Sequence, residues 1–583
     1  MKTTENDKDA QTPTGIDRVA EPTTTHFVQK CDVTLRWSNR IVIGLLIVQA
    51  GLLAYISWNT SPNHTEEGHI AACVYLWQKR KFDVFHVNPP FVRAIAGAPI
   101  ALLCNSNYDL TRYSPHPKDR CEWALGKAFI AANELGDLQT YVFLARAACI
   151  PLILLGGYFG YRFASELYGE WSGVMFLALW TFSPLILGWG ATICPDVAAA
   201  SMGIVGLYTF WYWLKTPSWW KAINAGTCLG LMSLTKITWI IAFPIWVILW
   251  AIYLPCKNKR QLALIMLLGI WTINMGYFFD GSLRQLKDYK FISSTLTGNE
   301  IAKGRAGSVG NRFADSWLGH VPVPLPAEFV QGIDTQRIDF ERGMESYAAG
   351  VWSDRGWWWY YGYVLLLREP LGVWGLTLLV LFVTCFFRNA NASWRDELTI
   401  LIPLVLIFAF ISSQDGFSIN PRYIVSILPL LYIFISKVAS SQINKKWVSV
   451  LTAILLSWVI ASSLSFYPYS MSYFNELAGK PTNYPQHLLG SNIDWGHDAY
   501  ALKKWAEKHP EVKPLYISYS SPIPLGRLGV TSDGAVPIRP TTGWMVIGVN
   551  ELFAKRGRFD WLKEHDPIGM VGYSIWVFDI KEQ

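Results

Sequence analysis

Long apolar stretches separated by short polar connections occupy most of the chain between residues 40 and 466. A stretch of about 17–25 apolar residues is long enough to cross a bilayer as a helix. The pattern predicts eleven spans, at 40–58, 141–163, 171–190, 196–214, 219–235, 236–254, 262–279, 370–387, 397–412, 422–438 and 447–466. Another apolar stretch, 89–104, is shorter and begins with Pro89-Pro90, which favours a helix lying in the membrane interface.

The polar segments divide the chain into three parts. Residues 1–39 are rich in Thr, Asp, Glu and Pro and are predicted to be a disordered cytoplasmic tail. Residues 40–466 form a transmembrane domain, interrupted by two large loops at 59–140 and 280–369. Residues 467–583 alternate strand-like apolar runs with helical patterns, which predicts a small α/β domain. The fold class is therefore mainly α, a polytopic helical membrane protein with a small α/β C-terminal domain.

The distribution of basic residues predicts the orientation of the spans. Lys and Arg cluster near 36–40, 215–221, 257–260, 388–395 and 437–446. Basic residues near span ends mark the cytoplasmic side, and all five clusters fall there if the N-terminus is cytoplasmic. Eleven spans then place the C-terminus and both large loops outside. We expect a multi-pass protein of the plasma (inner) membrane whose chemistry takes place on the extracytoplasmic face.

Composition supports the membrane assignment. Hydrophobic residues make up 51% of the chain and charged residues 16%, against about 25% charged in soluble domains. The net charge is +7 over 583 residues, which is weak evidence for a nucleic-acid partner. Cys104 and Cys121 both fall in the first outer loop, where a disulfide is permitted, and the sequence leaves open whether they pair.

Acidic residues follow two outer span ends. Glu66 and Glu67 come just after the first span, and Asp196 opens the fourth. A carboxylate at a membrane boundary can act as a general base. The alternatives are acids that favour a helix N-terminus at Glu66 and Glu67, and a helix cap at Asp196.

Cationic residues lie at neighbouring outer positions. Arg93, Lys236 and Arg422 are placed where they could bind phosphate oxygens, although a lysine there could also snorkel to the interface. These residues suit a reaction on a lipid-linked sugar phosphate, in which a carboxylate activates an acceptor hydroxyl. Cationic groups or a divalent metal would stabilise the departing phosphate.

The order of motifs resembles the GT-C class of polytopic glycosyltransferases, from about residue 40 to residue 500. The branch is the family 39-like one, which contains protein O-mannosyltransferases and lipid A aminoarabinose transferases. The motifs that carry the resemblance are Glu66-Glu67-Gly68-His69, Asn88-Pro89-Pro90-Phe91, Arg146, Leu167-Tyr168-Gly169, Ser183-Pro184, Asp196, Leu234-Thr235-Lys236, Trp352-Ser353-Asp354-Arg355-Gly356-Trp357, Arg422-Tyr423, Tyr473-Phe474-Asn475-Glu476 and Asp494-Trp495-Gly496-His497-Asp498.

The resemblance implies an inverting transferase that uses a polyprenyl-phosphate sugar donor and an extracytoplasmic acceptor. The acceptor could be a lipid, a glycan or a protein. In this class the general base is the Asp of an Asp-Glu pair in the first outer loop. Here the pair is Glu66-Glu67, or Thr65-Glu66 with a different gap, so the Asp is missing. Asn88 also stands where the aminoarabinose branch has a Lys.

We therefore predict Glu66 or Glu67 as the base, with Asp196 positioning the acceptor. Asp196 or Glu67 is the candidate ligand for a metal, and Arg93, Lys236 and Arg422 are the candidate phosphate-binding residues. Further site candidates are His69, Asn88, Tyr423, Asp494 and Trp495.

Two other functions remain open. One is a transporter or flippase of a lipid-linked or anionic solute, for which Arg146 is the main charge within the predicted spans. The other is a catalytically inactive relative that acts as a binding partner, which the missing Asp suggests.

Overall fold

The computed structural model describes residues 24–582 apart from 105–119, 254–256, 299–308, 388–391, 415, 417 and 444, and only the backbone of 24–37. The chain is mainly helical (67%). Its α-helices are α1 Thr24–Asn59, α2 His64–Lys79, α3 Pro90–Leu103, α4 Cys121–Ala132, α5 Leu135–Tyr168, α6 Glu170–Phe182, α7 Pro184–Gly190, α8 Pro195–Lys215, α9 Trp219–Thr235, α10 Ala242–Tyr253, α11 Lys259–Gly276, α12 Ser294–Thr297, α13 Ala327–Arg342, α14 Tyr360–Arg368, α15 Leu371–Phe386, α16 Trp394–Ser412, α17 Leu428–Ser436, α18 Lys446–Ser465, α19 Tyr484–His487, α20 Ala499–Lys508 and α21 Val549–Leu552.

Five of the described helices are long and apolar enough to cross a membrane. They are Ser38–Asn59, Leu135–Tyr168, Pro195–Lys215, Pro421–Ala439 and Lys446–Ser465. Two helix pairs, α6–α7 and α14–α15, meet the same test together but are bent by 55° and 108°. The described part of the chain therefore contains five to seven candidate spans.

The predicted count of eleven spans exceeds this number, although every predicted span coincides with helix. Helix α9 has 17 residues, so it is about 26 Å long at roughly 1.5 Å per residue, which is at the lower limit for crossing about 30 Å of hydrocarbon. The predicted span 236–254 is broken, because a 3₁₀ turn at Ile237–Ile241 precedes α10. The hydropathy of the sequence predicts where these helices lie. It does not show where a helix is broken or how short it is.

Proline and serine residues fix the breaks. The Ser183 hydroxyl accepts a hydrogen bond from the Ile186 amide at 3.3 Å, and Pro184 starts α7. Proline has no amide hydrogen to donate and its φ suits the first turn of a helix. Pro195 begins α8 in the same way, which places Asp196 in the first turn of that helix.

The two ends of the chain differ from the prediction in detail. Helix α1 begins at Thr24, inside the segment predicted as a disordered tail, of which residues 1–23 lie outside the described residues. The predicted interfacial helix 89–104 is the helix α3, Pro90–Leu103. Cys104 carries a free thiol, so the disulfide to Cys121 that the sequence permits is not formed.

The C-terminal part contains a four-stranded sheet. Its strands are β3 Leu515–Ser518, β4 Gly543–Gly548, β5 Gly569–Val571 and β6 Ile575–Ile580, in the order β3-β4-β6-β5. Strands β3 and β4 are parallel and the other pairs are antiparallel. A separate two-stranded sheet pairs β1 Ser346–Ala348 with β2 Val351–Ser353.

The segment 494–498 attaches this C-terminal part to the start of α2. The Ser61 and His64 amides donate to the carbonyl oxygens of His497 and Trp495, at 3.0 and 2.9 Å. The Ser61 hydroxyl also accepts from the Ala499 amide at 3.1 Å. These bonds hold the α2 N-terminus, and the residues around it, in a fixed position.

Candidate active site

A cavity of about 640 Å³ lies where the N-terminal ends of α2 and α8 meet the turns at Ile237–Ile241 and Pro421–Ile427. Helix α13 forms another wall. The polar part of its lining includes Thr65, His69, Asn88, Arg120, Asp196, Lys236, Arg337, Asp339, Arg342, Arg422, Tyr423 and Trp495. The apolar lining includes Phe85, Ile237, Ile240, Ile333, Phe340, Phe410 and Ile411. A charged region and an apolar region therefore share one cavity.

Asp196 is held between two cations. Its Oδ1 lies 2.6 Å from Lys236 Nζ, and its Oδ2 lies 3.7 Å from Arg422 Nε. The Asp196 side chain is 3% exposed, and the side chains of Lys236 and Arg422 are 13% and 12% exposed. In so dry a site, charge interactions are stronger than in water. These three predicted site residues are brought together as one cluster.

The Thr65 hydroxyl connects this cluster to the C-terminal part. It accepts hydrogen bonds from Arg422 Nη1 at 2.9 Å and from Trp495 Nε1 at 2.8 Å. Both bonds use lone pairs of the oxygen, so the hydroxyl proton can still be donated to a ligand. Trp495, a predicted site candidate, thus reaches the cavity through its indole nitrogen.

Aromatic rings frame the two cations. Lys236 Nζ lies 4.7 Å from the centre of the Tyr423 ring, and the Arg422 guanidinium lies 5.6 Å from it. Trp189 contributes a second face, 5.4 Å from Arg422. Cation–π contacts at these distances restrict both side chains, so the cationic groups are preorganised.

His69 lines the same cavity one helical turn after Thr65. Its ring centre lies 4.3 Å from that of Phe85, and the residue is 1% exposed. Neither ring nitrogen has a hydrogen-bond partner in the described structure. Burial, followed by the charges of Arg422 and Arg93, lowers the pKa of His69 well below its usual value. The imidazole is therefore neutral, with one donor and one acceptor nitrogen.

Helix α13 and the residue before α4 add charged groups that the sequence did not indicate. Arg120 forms an ion pair with Asp339 and another with Glu122 at 2.5 Å. Arg337 and Arg342 are exposed at the same wall. Five cations and two carboxylates line the cavity, so its field favours an anionic ligand. Helix α13 is an amphipathic helix within the second large loop, and its sequence carries no motif for such a role.

Glu66 does not lie at the cavity, contrary to the prediction. Its carboxylate accepts from Arg146 Nε at 2.8 Å and Nη2 at 2.6 Å, and also from the Ile193 amide at 2.9 Å. It further completes a capping box with Asn63 at the start of α2. The two oxygens of this buried carboxylate accept four hydrogen bonds in total, from Asn63, Ile193 and Arg146. The side chain thereby joins three elements of the fold.

Glu67 also points away from the cavity. Its side chain packs against α4, where a Cβ added to Gly126 would lie 2.9 Å from the Glu67 Cγ. The residue is 4% exposed, and its Oε1 has no hydrogen-bond partner in the described structure. Burial raises the pKa of Glu67 above its usual value. The predicted general base is therefore absent from the lining at both positions.

The remaining predicted residues fall into two groups. Asn88 lines the cavity, whereas Arg93 donates from Nη1 to the Val84 carbonyl at 2.6 Å and from Nη2 to the Asn88 carbonyl at 2.7 Å. Arg93 therefore shapes the loop before α3. Asp494 accepts from the Gly496 amide at 2.9 Å and the Tyr519 hydroxyl at 3.2 Å, within the C-terminal part.

The described residues do not form a protein-only metal site. No group of three or more His, Cys, Asp or Glu side chains among them could hold a metal ion. Both oxygens of Asp196 face cations, and Glu67 lies elsewhere. Asp196 and Glu67, the residues suggested as metal ligands, therefore do not converge on one site.

No protein-family model and no curated protein matches the chain. Among solved structures, the chain is similar to ArnT from Cupriavidus metallidurans bound to undecaprenyl phosphate, with 12% identity and a TM-score of 0.46. The alignment covers 92% of this chain and 97% of that one.

A second similar structure is the archaeal oligosaccharyltransferase AglB from Archaeoglobus fulgidus in complex with an inhibitory peptide and a dolichol-phosphate. It has 10% identity and a TM-score of 0.43 over 91% of this chain and 72% of that one. Both are glycosyltransferases of the GT-C class, the class that the sequence motifs resemble. Each is a distant likeness in overall shape.

Proposed function

We propose that this chain is a membrane glycosyltransferase that moves a sugar from a polyprenyl-phosphate donor to an acceptor outside the cytoplasm. The observation that carries the proposal is the cluster of Asp196, Lys236 and Arg422 in a cavity that also has an apolar region. A cationic site beside an apolar surface matches a ligand with a phosphate and a lipid chain. The orientation follows from the basic residues at the opposite ends of the helices.

In the proposed reaction, Lys236 and Arg422 bind the donor phosphate. Arginine and lysine both bind phosphate through charge-assisted hydrogen bonds. The phosphate would take over cationic groups that now contact Asp196, and the carboxylate would become free to accept a proton.

The acceptor hydroxyl attacks the anomeric carbon from the face opposite the phosphate. The bond from that carbon to the phosphate oxygen breaks, the acceptor oxygen forms the new bond, and Asp196 receives the hydroxyl proton. The lipid phosphate leaves with its added negative charge balanced by the two cations. The sugar is transferred with inversion, and Asp196 replaces the two glutamates as the proposed base.

The binding-partner alternative retains a specific observation in its favour. Thr65, which cannot act as a carboxylate base, faces the cavity, whereas Glu66 and Glu67 do not. The transporter alternative was based on Arg146 as a charge available within the spans. Arg146 is instead bonded to Glu66 and to carbonyl oxygens of the α1–α2 connection, so this reason no longer holds. Turnover therefore separates the two functions that remain.

The test compares binding with turnover in nanodiscs. We expect Lys236→Met to weaken binding of undecaprenyl phosphate strongly, because one of two phosphate-binding cations is lost. Asp196→Asn should retain binding and lose sugar transfer from undecaprenyl-phosphate-linked sugars. Lys508→Met and Asp566→Asn are matched controls at exposed positions. Binding without turnover in the wild type would favour the binding partner, and no binding would refute both functions.

A further inference from the structure

Helix α11 carries an exposed apolar stripe. Leu267, Trp271 and Met275 are spaced four residues apart and are 64%, 49% and 43% exposed. Residues four apart lie on one face of a helix. The opposite face contains buried residues, such as Leu262 and Ile265, and packs against α9. An outward apolar face on a helix of an apolar bundle is the surface that acyl chains solvate.

The stripe continues beyond the end of the helix. Phe278 and Phe279 are 70% and 48% exposed, and the Phe279 ring lies 6.2 Å from that of Trp271. Both phenylalanines have positive φ values, +53° and +59°, which are uncommon for bulky residues. The chain thus adopts a costly turn that leaves two large apolar side chains facing outward.

A second arm of the same loop adds to this surface. Trp317, Leu318 and Val321 are 77%, 36% and 42% exposed, and Leu283 is 64% exposed. The arms are joined by hydrogen bonds from the Leu283 amide to the Val323 carbonyl and from the Leu286 amide to the Val321 carbonyl, at 2.9 and 3.1 Å. We call the six residues the apolar tip: Phe278, Phe279, Leu283, Trp317, Leu318 and Val321.

We propose that the apolar tip is inserted in the lipid leaflet at the cavity end of the bundle. Isolated exposed apolar residues are ordinary, but a contiguous set marks an interaction surface. Its continuity with the stripe on α11 identifies the partner as lipid. Aromatic residues prefer the membrane interface, and the nearby exposed Arg284, Lys287 and Lys290 suit anionic headgroups.

The insertion would anchor one wall of the cavity. The Ala327 amide, at the start of α13, donates to the Asp280 carbonyl at 3.0 Å. Asn274 in α11 donates from Nδ2 to the Pro324 carbonyl, also at 3.0 Å. Helix α13, which carries Arg337 to the cavity, is therefore tied to both sides of the tip. This anchoring is independent of the chemistry proposed for the site.

Photochemical labelling of the wild-type protein tests the proposal. The protein is placed in nanodiscs of phosphatidylethanolamine and phosphatidylglycerol that contain a phospholipid with a diazirine at the end of its acyl chain. After illumination, adducts are mapped by mass spectrometry. We expect Leu283 and Trp317 peptides to carry several-fold more adducts than peptides with Ile538 and Ile568, which are 63% and 59% exposed in the C-terminal part.

A variant sharpens the comparison. Leu283→Ser with Trp317→Ser should reduce labelling at the tip several-fold and leave labelling of the α11 stripe unchanged. Tip labelling equal to that of the Ile538 and Ile568 peptides would overturn the proposal. Cross-links that join tips of two copies, in place of lipid adducts, would also overturn it, because the partner would then be protein.

Discussion

Arg146 grips the Glu66 carboxylate with two hydrogen bonds, of 2.8 and 2.6 Å, and the two side chains are 1% and 0% exposed. Arg146 also donates to the carbonyl oxygens of Ser57, Thr60 and Ser61. The pair joins the end of α1, the start of α2 and the middle of α5. A buried ion pair with this many hydrogen bonds stabilises the fold. It affects the site only by holding the start of α2 in position.

Removing one member of this pair should be strongly destabilising. Glu66→Ala leaves the Arg146 charge buried without its partner, which costs about 3–5 kcal/mol. Thermal unfolding in nanodiscs measures the loss. Replacing both residues by Met should restore much of the stability, because no buried charge remains. A Glu66→Ala variant that is as stable as wild type but inactive would instead identify Glu66 as the base.

Loss of the Thr65 hydroxyl should damage the site and leave the fold intact. Thr65→Val keeps the shape but deprives Arg422 and Trp495 of an acceptor, at a cost of about 1–3 kcal/mol for unsatisfied buried donors. We expect weaker binding of undecaprenyl phosphate, since Arg422 loses its fixed orientation. Thr65→Ser retains the hydroxyl and serves as the control. Equal binding by the Val and Ser variants would contradict the prediction.

Substitution of His69 should weaken binding of the donor's sugar and leave binding of its phosphate unchanged. A neutral imidazole offers one donor and one acceptor, which pair with sugar hydroxyls. We expect His69→Phe to raise the KM for glycosylated undecaprenyl phosphate and to leave the affinity for undecaprenyl phosphate unchanged. His69→Asn, which keeps a donor and an acceptor, should retain part of the function. An equal loss of affinity for both lipids would show a packing role.

The C-terminal part should lose stability as the pH rises from about 4 to about 7. Burial raises the pKa of Asp494 to about 7 and raises the pKa of Asp498 well above its usual value. The unfolded Asp titrates near 3.9, so the folded state binds more protons between these values and is favoured at low pH. Asp494→Asn should flatten the pH dependence of the unfolding temperature. An unchanged profile would contradict this prediction.

The helices could be predicted from the sequence because burial in lipid and packing within the bundle both require apolar residues. Each predicted span contains helix for that reason. Hydropathy is averaged over a window, so it does not register a bend such as the 108° change at Glu369-Pro370. It also does not register how short an individual helix is, such as the 17 residues of α9.

The site could be predicted only in part. Three of the site residues lie at helix ends, namely Asp196, Lys236 and Arg422. The predicted topology places these ends on the same side of the membrane, which explains why the three residues cluster. Glu66 or Glu67 was predicted as the base, but neither lines the cavity, because Glu66 is bonded to Arg146 and Glu67 packs against α4. Thr65 and His69, four residues apart, do share a face, and the spacing alone contained this signal. Arg120 and Asp339 come from distant loops whose contact no local pattern predicts.

The bond between Trp495 and Thr65 joins residues that are 430 positions apart in the chain. At a synthesis rate of about 5–20 residues per second, roughly 20–90 s separate the appearance of the two residues on the ribosome. For that interval Thr65 lacks its indole neighbour, however complete the helices around it are. The nascent protein is therefore inserted in the membrane before its cavity is complete, and the cavity acquires its final shape only when the last fifth of the chain docks.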